Sequence, residues 1–405
     1  MPPPVYSADG PPVRVLHVNS MLTGGGTDDQ CVKLVQGLLA LGQSVWLAGP
    51  AERALGRRAR ADGMPLSDTG AAGPLKLGFI VRCARLIRRH AIQIIHGHHG
   101  RDLWPTILAA RLSGRRPRIV LTRHMAKSPS SWPSRRFLLG QCDALVAVSE
   151  FTARVLREGV NEPRSPEPER RRRPPLLGDH AKIVVIHGGL DTARFQPRPA
   201  DDSTVLALRQ SWGLSPEHFA FAVMGGYELP RGKGQREFLQ AAATLRDKLP
   251  LARFLMVGGG SLRDTLLEDI ERLGLRGCTT LAPWCGDMPA AMNAIDCLVH
   301  PQVGTEAFGL VVCEAHACGR PVIASALDGI PEAFAIGGQG RLVAPESVPE
   351  LAAAMLAEFH APRLDASHRR ILHDHVAARA SLSVLAEKSL ELYRRLLNSA
   401  RPPNS

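Results

Sequence analysis

Short runs of β-branched and aliphatic residues alternate, along nearly the whole chain, with stretches whose apolar positions recur at helical spacing. The pattern predicts strands over residues 13–18, 45–47, 92–96, 119–122, 144–148 and 183–186, with helices over 28–41, 77–89 and 103–112 between them. It restarts after about residue 200, where strands are predicted over 219–224, 253–257, 279–281, 297–299 and 321–324. The helices of that second series are predicted over 235–249, 262–273, 288–294, 309–318 and 348–359. Strands that alternate with crossover-length helices make parallel sheets covered on both faces, so each series predicts one α/β domain. The expected division is a disordered N-terminus over 1–12, a first domain over 13–197, a second over 198–380, and an amphipathic helix over 381–400 that crosses back to the first.

Composition agrees with two cores, since 405 residues at 44% apolar exceed what one core usually absorbs. The formal charge of +12 favours a polyanionic partner, whether nucleic acid, an anionic membrane surface or a phosphorylated substrate. Part of that charge is the run Arg170-Arg171-Arg172-Arg173 inside a proline-rich insert over 161–180, expected to be a surface loop, either merely solvated or touching lipid headgroups. The eight scattered cysteines form no Cys-x-x-Cys pair and read as reduced core thiols of a cytosolic protein. Neither a signal-peptide pattern nor an apolar run of the ~18 residues needed to span a bilayer is visible, so a soluble or peripheral protein is expected. The helix-turn-helix, zinc-finger and RNA-binding aromatic signatures are missing, which argues against nucleic acid as the partner. Missing too are the Walker and Gly-x-Gly-x-x-Gly patterns, against an ATPase or an NAD enzyme.

In open parallel sheets ligands bind beyond the carboxyl ends of the strands, which directs attention to the loops there. Thr23-Gly24-Gly25-Gly26-Thr27-Asp28 follows the first predicted strand and opens a helix, a place where backbone N–H groups attract phosphate. His96, His98 and His99 raise a metal hypothesis, but no cysteine or second ligand cluster completes a shell, and no metal is expected. His124, past the strand over 119–122, is read as a hydrogen-bond donor facing a polar cleft or as a satisfied buried side chain. The glycine-rich loop over 225–234 carries Arg231 and Lys233, fixed cations suited to a diphosphate. The most specific run is Glu306-Ala307-Phe308-Gly309-Leu310-Val311-Val312-Cys313-Glu314. A helix starting at Gly309 would turn the N–H groups near Phe308, Gly309 and Leu310 toward a phosphate, with Glu306 reaching a sugar hydroxyl and Glu314 a ribose.

This run resembles the Glu-x7-Glu signature of the retaining glycosyltransferase family 4, lipopolysaccharide and surface-glycan type. The resemblance spans residues 13–395 apart from the insert, and includes the segments 187–195 and 328–332. It implies the GT-B fold: α/β, two facing Rossmann-like doubly wound parallel-sheet domains, acceptor-side first and nucleotide-sugar-binding second. It also implies a metal-independent, cofactor-free transfer of a hexose-type sugar from a nucleoside diphosphate sugar to a glycan or lipid-linked acceptor. The setting implied is the cytoplasm, at the inner face of the membrane. By the same resemblance Glu306 contacts the donor sugar, Glu314 the ribose and Lys233 the diphosphate, helped by Gly25, Gly26, Gly309 and Leu310, with His124 beside the reacting sugar. The family's usual Arg before the Lys is replaced by Tyr227 and Glu228, leaving Arg231 as the substitute. His187 and Gln302 stand where Asn and Ser are usual. A nucleotide-sugar epimerase and a non-catalytic sugar-binding relative are the alternatives; the oligomeric state is left open.

Overall fold

The computed structural model describes residues 11–70, 77–161 and 172–400. Most of the expected disordered N-terminus, Arg170 and Arg171 of the arginine run, and the tail over 401–405 lie outside the described residues. The chain forms two compact units, Met1–Gly189 with Leu382–Ser405, and Leu190–Ser381.

The first unit holds β1 (Arg14–Val18), β2 (Ser44–Gly49), β3 (Leu66–Asp68), β4 (Ile94–Gly97), β5 (Arg118–Arg123), β6 (Ala144–Ala147) and β7 (Ile183–Val185). They pair in parallel in the order β3-β2-β1-β4-β5-β6-β7. Every residue of β4, β5 and β6 is buried, the result of covering both faces, and this is why each contains an apolar run without polar alternation. The helix Leu382–Asn398 packs against Gly26–Ala40. A Cβ on Gly37 would lie 2.8 Å from the Ala386 Cβ, so glycine is what lets these two helices approach so closely. Tyr393 is thereby fully buried.

The second unit holds β8 (Phe219–Met224), β9 (Ala252–Val257), β10 (Thr279–Ala282), β11 (Cys297–His300), β12 (Val322–Ser325) and β13 (Gly340–Val343), again all parallel, in the order β10-β9-β8-β11-β12-β13. Its core takes in Leu190 and Phe195, from the segment after β7. The edge strands β3 and β13 have no counterpart in the sequence pattern. Each is short, and Leu-Ser-Asp and Gly-Arg-Leu-Val bury little, so neither leaves an apolar signature. All eight cysteines are free, and no described helix is long and apolar enough to cross a membrane.

Both sheets reverse their strand order once, between β1 and β4 and between β8 and β11. At such a switch point the loops leaving two neighbouring strands splay apart and open a crevice at the carboxyl edge. The loops that leave these strands are the ones whose sequences are unusual.

Candidate functional site

In the second unit the loop after β8 runs through Gly225 to Gly234 and enters the helix Gln235–Leu245. Gly234 caps that helix in the left-handed region, φ 83°, and a Cβ there would sit 1.8 Å from the Pro301 carbonyl oxygen. Glycine therefore allows the loops after β8 and β11 to touch. Their contact carries Lys233 to Glu306, with Nζ 3.4 Å from Oε2 and both side chains partly exposed. Gln235 Oε1 accepts from the Lys233 N–H at 2.6 Å and fixes the backbone beneath the ammonium.

Glu306 is held by its own main chain. Its N–H donates to Asp328 Oδ2 at 3.1 Å, the Thr305 hydroxyl donates to the same oxygen at 2.7 Å, and the Glu306 carbonyl accepts from Gly329 N–H at 3.2 Å. Gly309 then caps the helix Leu310–Ala317 at φ 97°, with no side chain closing the cap. The first-turn N–H groups of a helix lack intrahelical acceptors and carry its positive dipole end, so this start suits an anion. Phe308 is 4% exposed, so its side chain anchors the loop in the core. Leu310 is partly buried, and Glu314 lies half-buried on the same helix.

Arg231 is committed elsewhere. Its guanidinium pairs with Glu346 at 2.8 Å and lies 3.7 Å from Glu237. Glu228, which occupies the place of the family's usual Arg, accepts from the Ser261 hydroxyl at 2.6 Å.

Sequence reasoning did not single out His300, the last residue of β11. It is fully buried, neither ring nitrogen has a hydrogen-bond partner, and Nε2 lies 4.0 Å from Glu306 Oε2. Burial, and then the charge of Lys233, push its pKa down to about 3, so it is neutral beside the pair. The signal available in the sequence was its position at the carboxyl end of a strand.

In the first unit the loop after β1 is folded around Asp28. Its Oδ2 accepts from Thr23 N–H (2.9 Å) and Gly24 N–H (3.1 Å), and its Oδ1 from the Asn19 amide (3.0 Å). Gly24 and Gly25 have φ of 117° and 98°, and a Cβ on Gly24, Gly25 or Gly26 would meet no atom within 4 Å. The loop thus presents open backbone at the start of the helix Gly26–Ala40.

His124 follows β5 and joins a row of imidazoles. Its Nε2 is 3.5 Å from His98 Nδ1, and His98 Nε2 is 2.9 Å from His17 Nδ1. His96 contacts the Tyr393 hydroxyl and Thr122 Oγ1, each at 2.6 Å. Burial pushes His17 and His124 down to about 3 and His96 and His98 well below the ordinary value. The candidate metal ligands here are His17, His96 and His98, whose nitrogens lie within 4.8 Å of one another. His17 enters from β1, and His99, on the loop, is not among them. Both His96 nitrogens are engaged by hydroxyls and His17 Nδ1 bonds directly to His98, which leaves His17 Nε2 as the nitrogen of the three without a partner among the described residues.

Two doubly wound parallel units whose switch-point loops carry glycines, a lysine–carboxylate pair and an open helix start define the GT-B class of nucleotide-sugar-type folds. Comparison with known proteins gives the family. Residues 24–165 match the model for Glycosyltransferase Family 4, and residues 219–359 that for Glycosyl transferases group 1. The chain belongs to these glycosyltransferases. Among curated relatives, the D-inositol 3-phosphate glycosyltransferase of Mycobacterium marinum is 32% identical over 228 residues, 54% of this chain and 46% of that protein. That of Mycobacterium tuberculosis is 33% identical over 230 residues, 54% and 45%. The matched stretch spans about half the length of these relatives. A glycosyltransferase from Rickettsia africae shares the fold with a TM-score of 0.80 at 19% identity, covering 96% of this chain and 100% of that one. HepE of Anabaena, solved in complex with UDP-glucose, has a TM-score of 0.74 at 19% identity, covering 94% and 99%.

Proposed function

We propose that this protein is a retaining glycosyltransferase that moves a hexose-type sugar from a nucleoside diphosphate sugar to a hydroxyl of a glycan or lipid-linked acceptor, with no metal or other cofactor. The observation that carries the reading is the 3.4 Å Lys233–Glu306 pair beside the uncapped helix start at Gly309. A diphosphate divides such a pair, taking the ammonium and leaving the carboxylate to a sugar hydroxyl. Negative charge grows on the leaving diphosphate in the transition state. Lys233 and the N–H groups at Gly309 and Leu310 are placed to stabilise it, as a divalent ion does in other transferases. Glu314, further along the helix, is assigned to the ribose. Arg231 joins only by leaving Glu346. On the first unit, Gly25 and Gly26 are assigned to anion recognition and His124 to a sugar hydroxyl. Retention of configuration is supported by the likeness to the Glu-x7-Glu signature.

The names of the relatives guide the choice of substrates. UDP-glucose is the first donor to try, and an inositol phosphate belongs in the acceptor panel beside glycans and lipid-linked sugars. A surface-polysaccharide role at the inner membrane face is supported by the charge of +12. Co-sedimentation with anionic liposomes at low salt tests that part, and absence of binding refutes it.

Titration with UDP-, GDP- and ADP-sugars, followed by NMR of the anomeric centre in the product, tests the reaction. Lys233→Ala is expected to lower kcat by about a hundred- to a thousandfold with the melting temperature unchanged. Full activity in that variant, or an inverted product, overturns the proposal.

A further inference from the structure

At the other edge of the second sheet, where β8, β11 and β12 begin, lies a cavity of about 460 Å3. Five arginines line it against two carboxylates, Asp296 and Glu358. Arg198 is matched by Asp287 at 3.2 Å and Arg209 by Asp296 at 3.4 Å. The other three are not matched so well. Arg320 donates to the Asn293 carbonyl, and Arg369 donates to Asn293 Oδ1 at 2.7 Å and to the Cys318 carbonyl at 3.1 Å. No carboxylate among the described residues lies within ion-pair distance of either guanidinium, and the buried Nε of each has no acceptor. Burial and the neighbouring Arg369 charge push Arg320 down to about 10, the mark of two cations crowded together out of water. Arg363 stands at the mouth, half-exposed, its guanidinium over the Phe219 ring and 3.7 Å from Asp296. Burial raises the pKa of Glu358, the second carboxylate of the lining.

Buried charges in folded proteins are normally paired, and Arg320 and Arg369 face a cavity whose two carboxylates, Asp296 and Glu358, lie outside ion-pair distance of either guanidinium. Guanidinium forks match phosphate oxygens in bidentate fashion. The cavity volume lies within the roughly 300–1,000 Å3 typical of small-molecule sites. Leu206 and Leu214 supply an apolar wall. We propose that this cavity binds a small phosphorylated metabolite, with the phosphate held by Arg363, Arg369 and Arg320 and the carbon skeleton lying on Leu206 and Leu214. It is a second anion site, on the sheet edge away from Lys233 and Glu306, and does not depend on the donor assignment.

Calorimetric titration of the whole protein with glucose 6-phosphate, inorganic phosphate and glucose tests it. Glucose 6-phosphate is expected to bind saturably with Kd below about 1 mM and glucose not at all. Arg363→Ser, at an exposed position, is expected to weaken that binding at least tenfold. Lys233→Ala is expected to leave it unchanged. Absence of glucose 6-phosphate binding overturns the proposal, as does binding of inorganic phosphate alone. So does binding lost in Lys233→Ala but kept in Arg363→Ser, which would place the anion on the donor loops.

Discussion

A side chain at position 234 must find room where the Pro301 carbonyl oxygen stands 1.8 Å from an ideal Cβ, in a backbone with φ 83°. Gly234→Ala therefore forces the loops after β8 and β11 apart. The left-handed strain and overpacking together cost about 2–4 kcal/mol. The expected result is a lower melting temperature together with a loss of transfer comparable to Lys233→Ala, since the ammonium no longer reaches Glu306. A variant that folds less well but transfers sugar normally would separate the loop contact from the chemistry. His300 gives the converse case. Its ring nitrogens have no partner to lose, so His300→Phe is expected to keep stability within about 1 kcal/mol. It should still lower kcat/KM at least tenfold if the imidazole meets substrate beside Glu306; unchanged kinetics would show His300 to be packing only. Glu306, Lys233 and Gly309 were legible because each is a local sequence feature at a strand end. The capture of Arg231 by Glu346 was not, because those residues are remote in sequence and only the folded chain brings them together.

Among the elements, the central strands and the edge strands β7 and β10 announced themselves, and the edge strands β3 and β13 did not. A strand buried on both faces is mainly apolar, whereas β3 and β13 bury little of their length and carry few apolar residues. Helix ends were legible where a glycine or an Asp cap marks them, as at Gly309 and at Asp287 before Met288–Ala294. The histidines on β1 and β4 were harder to read. A polar residue inside an apolar run does not say whether it meets a ligand or a partner, and the partner of His96 is Tyr393, on the helix Leu382–Asn398. Tyr393→Phe removes that hydroxyl and leaves a buried imidazole nitrogen unsatisfied, at a cost of about 1–3 kcal/mol. Denaturant unfolding is expected to show a lower midpoint with an unchanged slope. A midpoint equal to wild type would mean that the helix is held by its apolar face alone.

On the scale of the whole molecule the buried imidazoles set a limit on acidity. His17 and His124 are pushed down to about 3, and His96 and His98 well below 6.5, all in the first unit. The second unit has two comparable groups, His300 at about 3 and His316 at about 4. Below pH 6.5 the unfolded chain takes up protons that these folded sites refuse, so stability falls as pH falls from 6.5 toward the folded values. Each such group contributes a slope of about 1.4 kcal/mol per pH unit. Asp102 acts in the opposite sense. Burial raises it from 3.8 to about 6, so its contribution strengthens as pH falls through that window and offsets one histidine. The first unit is left with about three net protons, or roughly 4 kcal/mol per pH unit, against a domain stability of about 5–15 kcal/mol. It is therefore expected to open between about pH 5.5 and pH 3. The second unit, with two groups, should follow at lower pH. Calorimetry over this range, with peptide-resolved hydrogen exchange corrected for the intrinsic pH dependence, checks the order. Loss of protection in both units at one pH, or stability that stays flat down to pH 4, would contradict it. The same measurement on His17→Leu should show a first-unit slope shallower by about one proton, together with a lower stability at neutral pH because His98 Nε2 loses its contact with His17 Nδ1.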